Sequence, residues 1–515
     1  MYKISILFLD REFEHDVYEL IRAFYPEAEY LVSYDNAEEK GEMHFEVSKK
    51  DNSFEIKYES PEHKGVASAS IIKGQSKDAL CSCDMTPVEQ EKQPADSDSE
   101  DGLRELRKEN KDVIKMLLYK ILVKLSGRTL PWGNLTGIRP AKLAMGMIES
   151  GMKNTEVAET MRNKYCVSAE KAALAISIAN RERDILKNID YENGYSLYIG
   201  IPFCPSICLY CSFSSYSLNQ WRAKVDAYVD ALCKEVRAVA DMMKGRKLDT
   251  IYIGGGTPTT LEPEQFHKLL TAVGESFGYD GLEEFTIEAG RPDSITKEKL
   301  LAMKEYPVTR ISVNPQTMNQ VTLDIIGRRH TVEETKTAFH LARECGYNNI
   351  NMDLIVGLPG EDINMVKNTL EEVRALDPDS LTVHSLAVKR AARLNMFKDQ
   401  YQEMTFENNQ EIMNLTMKTA YEMNMAPYYL YRQKNMKGNF ENVGYAKVDK
   451  AGIYNILIME EKQPIIALGA GGSSKLVFDH GQRIERVENV KDVTNYITRI
   501  DEMIERKRAG IETWL

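Results

Sequence analysis

Between residues 195 and 386 the sequence repeats one rhythm: a short apolar run, a loop, then an amphipathic stretch. The runs are YSLYIGI (195–201), DTIYIGG (249–255), EEFTIEA (283–289), TRISVNP (309–315), NINMDLIVG (349–357) and SLTVHSL (380–386). Runs this short, with amphipathic stretches between them, read as candidate strands. Strands alternating with helices make a parallel sheet, and right-handed crossovers limit it to an open α/β sheet or a full or partial barrel. In both, chemistry gathers at the C-terminal ends of the strands. Three cysteines follow the first run, GGGTP ends the second, Glu288 ends the third, Gln316 follows the fourth and Asp353 lies within the fifth.

A chain of 515 residues exceeds what one hydrophobic core serves. Residues 1–75 read as a small α/β domain: ISILFLD (4–10) as a strand, a helix to about Tyr25, and MHFEVSK with SFEIKYE as a hairpin. Residues 76–101 read as an acidic flexible linker, with seven acids and one lysine between 84 and 101. Residues 102–190 read as a helical segment, whose first helix carries Leu103, Leu106, Ile114, Leu117, Leu118, Ile121, Leu122 and Leu125 on one face at helical spacing and stops at Gly127. The βα core spans 191–400, and 401–515 is a mainly helical C-terminal region with a Tyr-rich turn and a Gly-rich loop.

The net charge of −12 argues against a nucleic-acid partner, although half of it sits in the linker, so an anionic substrate fits if a basic patch meets it. No apolar run reaches the roughly 18–20 residues of a membrane span. The start, MYKISILFLDREFEHD, meets acid too early for a signal peptide. Eight cysteines are too few for a disulfide scaffold, so reduced thiols and a cytoplasmic location are expected.

Cys204, Cys208 and Cys211 stand on one loop, CPSICLYC. A structural zinc site wants four ligands, and neither a further Cys nor a His lies nearby in sequence; Cys233 falls on an amphipathic helix, where a buried thiol is the ordinary expectation. Three thiolates on a four-iron cluster instead leave one iron open for another ligand.

IPFCPSICLYC resembles the CxxxCxxC loop of the radical S-adenosylmethionine (SAM) superfamily. YIGGGTPT, TIEAGRPDSI, ISVNPQTMN, IGRRHT and NMDLIVGLPGE resemble, in order, motifs of the oxygen-independent coproporphyrinogen III dehydrogenases. WGNLTGIRPAKL (132–143) and PYYLYRQKNMKGNFENVGYAK (427–447) are similar to the longer bacterial variant with an extra N-terminal region. The resemblance implies an incomplete parallel (β/α)6 barrel, a 4Fe–4S cluster on the three cysteines, and SAM bound at the open iron. Reduction of that cluster cleaves SAM to a 5′-deoxyadenosyl radical, so the radical is generated on SAM and no side chain need be catalytic. It also implies that Tyr198, Tyr210, Gly255, Gly256, Thr257, Glu288, Gln316, Arg328, Asp353 and, more weakly, Ala387 and the Gly469–Ser473 loop contact SAM.

The substrate implied is coproporphyrinogen III, whose propionates become vinyl groups, with a separate reductant for the cluster. A flat apolar macrocycle with propionates needs cations beside aromatics, and Lys389, Arg390, Arg393, Tyr431 and Arg432 are the candidates. Two positions depart from the pattern. Gly200 stands where the dehydrogenases usually have His, and Phe213 where they usually carry a fourth Cys. Lacking that Cys is shared with heme-chaperone relatives, so a heme-binding carrier, or radical chemistry on another substrate, are the alternatives.

Overall fold

The computed structural model describes residues 2–34, 39–50, 53–71, 100–137, 139–213, 215–387, 392, 394, 408–432 and 440–514. They fall into two units, Met1–Pro140 with Gly146–Ile176, and Ala141–Met145 with Ser177–Leu515.

In the first unit the strands are β1 (Lys3–Phe8), β2 (Glu29–Tyr34), β3 (Met43–Lys50), β4 (Ser53–Glu59) and β5 (Lys64–Ser70), in sheet order β2-β1-β3-β4-β5. The expected hairpin is the antiparallel pair β3–β4, while β1 runs parallel to β2 and β3. The helix Glu14–Phe24 buries Val17, Leu20, Ile21 and Phe24. The helix Glu100–Ser126 adds Ile114, Leu117, Leu118, Ile121 and Leu122 to the same core, with Leu125 packed against it, but Leu103, expected on that face, is exposed because the helix start runs beyond the core. It ends where Gly127 takes a φ of 67°, a turn that suits a residue without Cβ. The acidic stretch at 76–99 lies outside the described residues.

The second unit holds β6 (Gly194–Ile201), β7 (Phe203–Cys204), β8 (Tyr216–Ser217), β9 (Lys247–Gly255), β10 (Glu284–Glu288), β11 (Arg310–Ser312), β12 (Ile350–Val356), β13 (Ser380–Ser385), β14 (Ala426–Tyr431), β15 (Asn442–Ala446), β16 (Ile465–Leu468), β17 (Ser473–Phe478) and β18 (Arg483–Glu488). The six expected strands are β6 and β9 to β13, adjacent in chain order and parallel throughout. They are buried on both faces, which explains why they read as apolar runs. Several crossover helices are started by side-chain caps. Thr296 accepts from the Lys299 N–H, Thr331 forms a capping box with Glu334, and Asp362 accepts from the Met365 N–H. Each such cap is worth about 1 kcal/mol.

Beyond these six, the C-terminal region does more than pack helices. The stretch APYYLY, expected as a turn, is strand β14, paired antiparallel with β15, which pairs with β13. At the other side β16 joins β6 in parallel, and β17 and β18 follow antiparallel. Among the described residues β14 and β18 are the edges, so the barrel is incomplete. No helix among them is long and apolar enough to cross a membrane.

Candidate functional site

At the C-terminal ends of the parallel strands lies a cavity of about 580 Å³. The loop after β6 brings Cys204, Cys208 and Cys211 to its wall. The short pair β7–β8 ties the two ends of this loop, setting Phe203 opposite Tyr216 and Cys204 opposite Ser217. The GGGTP turn continues the pairing: the Gly256 N–H donates to the Ile201 carbonyl and that of Thr257 to the Phe203 carbonyl, both at 2.7 Å. A Cβ on Gly256 would stand 2.6 Å from the Phe203 oxygen, so only glycine allows this approach.

Each sulfur has a donor. The Thr257 hydroxyl lies 3.5 Å from Cys204 Sγ, Arg291 Nη1 lies 3.5 Å from Cys208 Sγ, and Cys211 meets the Phe213 backbone N–H and the Ser215 side chain. Burial pushes the Cys204 thiol up to about 11, so a metal would have to displace its proton on binding. Among the described residues no three Cys, His, Asp or Glu side chains converge on a point where one ion could sit. The three thiols line one cavity. As a donor set they fit a four-iron cube, which takes each thiolate on a different iron and leaves one iron open.

Glu288 ends β10 and accepts a hydrogen bond from the Tyr252 hydroxyl. Burial, and then the charge of Asp353, push its carboxyl up to about 7 against that bond. Asp353, on β12, is handled oppositely. Burial alone would raise it, but His384, Asn351 and Thr382 together hold it below the usual carboxylate range. Asn351 Nδ2 donates to its Oδ1 at 2.7 Å, and His384 Nε2 is 3.8 Å from its Oδ2. Gln316 has a φ of 67°, a strained region for a residue with a side chain. Its backbone is strapped to β12 on both sides, N–H to the Asp353 carbonyl and carbonyl to the Ile355 N–H, each at 2.9 Å. Arg328 is 4% exposed and spans two strand ends, donating to the carbonyls of Asn314 and Gly290.

Tyr198, Tyr210, Gly255, Gly256, Thr257, Glu288, Gln316, Arg328, Asp353 and Ala387 therefore all line the cavity with the cysteines. Tyr198 stacks in a layer with Tyr252 and Tyr454, the last two 4.5 Å apart between ring centres. Tyr210 lines the cavity and also packs against the cluster of Leu209, Leu323, Ile326 and Leu358. Tyr431 reaches the wall and meets His384 Nδ1 at 3.2 Å. Arg432 does not; it is buried away from the cavity, under the field of Glu441. Lys389, Arg390 and Arg393 lie outside the described residues. Phe213 is 72% exposed at the rim. A Cβ on Gly200 would stand 3.3 Å from the Leu468 carbonyl at the end of β16, a tight contact.

Among the lining residues that the sequence did not single out are Tyr252, Arg291, His384, Tyr454 and Lys475. Their positions near strand ends could have pointed to Arg291 and His384. Tyr454 and Lys475 arrive from the C-terminal region, and nothing local in the sequence announces them.

Residues 198–373 match the radical SAM superfamily. Over 413 residues, 79% of this chain and 82% of the relative, the sequence is 40% identical to the oxygen-independent coproporphyrinogen-III oxidase-like protein HemZ of Bacillus subtilis. Over 195 residues, 38% of this chain and 51% of the relative, it is 39% identical to the heme chaperone HemW of the same organism. The coproporphyrinogen III oxidase HemN of Escherichia coli, described as a radical SAM enzyme, has the same fold, with a TM-score of 0.50 and 23% identity over 63% of this chain and 72% of that one. The chain belongs to the radical SAM superfamily and, within it, to the family of oxygen-independent coproporphyrinogen-III oxidase-like proteins.

Proposed function

We propose that this protein is a radical SAM oxidoreductase that converts coproporphyrinogen III propionates to vinyl groups without oxygen. Cys204, Cys208 and Cys211 hold a 4Fe–4S cluster, and Tyr198, Tyr210, the GGGTP turn, Glu288, Gln316, Arg328, Asp353 and Ala387 hold SAM. The observation that carries this reading is the convergence of the three thiols with those residues on one cavity. When bound, the cluster and SAM supply one-electron cleavage of the sulfonium and, through it, hydrogen abstraction.

The protein's own share is position and charge. Glu288, close to its ionisation point near neutrality, becomes a firm carboxylate when a cationic amine settles beside it. Asp353, already ionised, is suited to accept from hydroxyls. Tyr429 and Tyr431, stacked at 6.2 Å, with Ile458 and Met459, give apolar surface for a macrocycle, while Lys475, also lining the cavity, is held by Glu461 at 3.0 Å. Lys389, Arg390 and Arg393 are proposed to supply the cations that its carboxylates need. Each propionate loses one hydrogen atom, CO2 and one electron, and the electron passes to an acceptor. The cluster takes its own electron from a separate low-potential reductant.

A second reading, a heme-binding carrier, draws on the 39% identity to a heme chaperone and on Phe213 in place of a fourth Cys. One anaerobic experiment separates the two. Reconstituted protein is incubated with coproporphyrinogen III, SAM and dithionite. CO2 and the divinyl product over several turnovers support the oxidoreductase. No product, with stoichiometric heme retained on gel filtration, favours the carrier. A triple Cys→Ser variant at 204, 208 and 211 that still binds four irons with an unchanged spectrum would sink the cluster assignment in both.

A further inference from the structure

The donors to the three sulfurs are unequal. Thr257 and Ser215 are neutral hydroxyls, and Phe213 offers a neutral backbone N–H. Cys208 also has a neutral partner, the Tyr210 hydroxyl, but beside it receives Nη1 of Arg291, a full positive charge, at 3.5 Å. Arg291 is only 3% exposed, and the loop after β10 grips it firmly. Its Nε and Nη2 fork onto Asp293 at 2.9 and 2.7 Å. Nη2 also reaches Ser206 Oγ at 3.1 Å and Nη1 the Ser206 carbonyl at 3.3 Å, and Ser206 Oγ donates in turn to the Gly327 carbonyl at 2.9 Å. The fork on Asp293 would by itself satisfy a structural ion pair. It leaves unexplained why the opposite edge of the guanidinium faces the cysteine loop, touching both its backbone and a sulfur.

We propose that Arg291 sets the reduction potential of the cluster held by Cys208, through a charge-assisted N–H···S hydrogen bond. This rests on the reading that Cys204, Cys208 and Cys211 bind a four-iron cluster. Reduction adds one electron from an external low-potential donor, and no bond to the protein forms or breaks. The added negative charge spreads over iron and sulfur, including the thiolate of Cys208. A buried cation bonded to that sulfur stabilises the reduced form more than the oxidised one, because little water lies between to screen it. Arg291 is thus a positioning and tuning residue, acting on the cluster through a ligand. Its rigid planar fork lets Asp293 hold one edge while the other faces sulfur, which the single ammonium of a lysine cannot reproduce.

Wild type, Arg291→Lys and Arg291→Gln are reconstituted anaerobically, assayed for iron, and titrated with the EPR signal of the reduced cluster as readout. All three are expected to hold four irons. At the wild-type midpoint, the ratio of reduced to oxidised cluster should fall about tenfold in R291Q, equivalent to about 59 mV for one electron, with R291K between. R291Q holding four irons at the wild-type potential overturns the proposal. If R291Q holds no iron, R291K decides: a lowered potential supports the proposal, while a wild-type potential or an empty site overturns it. Wild type that binds no four-iron cluster removes the underlying reading and this inference together, so the two failures are read on different proteins.

Discussion

Lys507 Nζ lies 2.6 Å from Glu235 Oε1, and neither side chain is more than 1% exposed. The same carboxylate accepts the Gly469 N–H at 2.9 Å, the Tyr496 hydroxyl at 2.6 Å and Asn489 Nδ2 at 2.8 Å. Glu235 therefore anchors the turn after β16, whose Gly471 and Gly472 line the cavity, to the C-terminal helix Ile500–Trp514. Lys507→Met would strand the buried charge of Glu235 and should cost about 3–5 kcal/mol. Removing both charges together, as Glu235→Leu with Lys507→Met, should cost less than the single change. Urea denaturation of wild type, both single variants and the double variant checks this, and additive losses would count against the coupling.

Gln316 gives a second test, because its backbone and side chain make separate demands. Glycine ordinarily weakens a structure by roughly 0.5–1 kcal/mol relative to alanine. At a φ of 67° the order should reverse, with Gln316→Gly more stable than Gln316→Ala by about 1 kcal/mol. Both should bind SAM more weakly than wild type, since both lack the amide. Denaturant melts with isothermal titration of SAM separate the two effects.

Glu288 makes stability depend on pH. Its native carboxyl sits near 7, above the ordinary 4.5, so between those values the folded protein keeps a proton that the unfolded chain has lost. Stability from this group is therefore fully present below about 4.5, declines as pH rises, and levels off above about 7. Glu288→Gln lacks that decline. In cofactor-free thermal melts the variant should gain a few degrees on wild type between pH 5 and 7.5, and a constant gap would place the titration elsewhere.

Gly256 is a packing test. A methyl there meets the backbone of Phe203 at 2.6 Å and of Ile201 at 2.9 Å, atoms that cannot swing aside like a side chain. Gly256→Ala should cost about 1–3 kcal/mol or more and lower iron loading, because Cys204 follows directly on the displaced segment. Melting temperature and iron content measured together test both halves.

Much of this site could be read from the sequence, for a local reason. A strand covered on both faces leaves a continuous apolar run, and the residue where the run stops is the strand end that faces the site, so Glu288 and Gln316 stand out by position, whereas Asp353, in the middle of β12, stands out as an acid inside an apolar run. The cysteine spacing is local too. What escaped was encoded at a distance. IIAL, four residues of β16, has no periodicity, and its place beside β6 is set by pairing across the unit. APYYLY contains a proline and a register shift between Pro427 and Tyr429, so it resembles a turn until β15 lies beside it. Arg291, next to a proline, reads as an ordinary loop cation, and only the folded loop brings it to sulfur. Arg432 misled in the opposite sense, as a basic residue in a promising stretch whose charge the fold spends internally.

The pairing of β16 with β6 also has a consequence for how the protein is made. The cysteine loop leaves the ribosome more than 250 residues before Lys475, which lines the same cavity. At about 5–20 residues per second that is a wait on the order of tens of seconds. Throughout it, β6 lacks its partner on that side, and the three thiols stand beside an unfinished wall. A nascent chain therefore holds its three thiols beside an incomplete cavity, exposed to oxidants, until β16 and the start of β17 have been made.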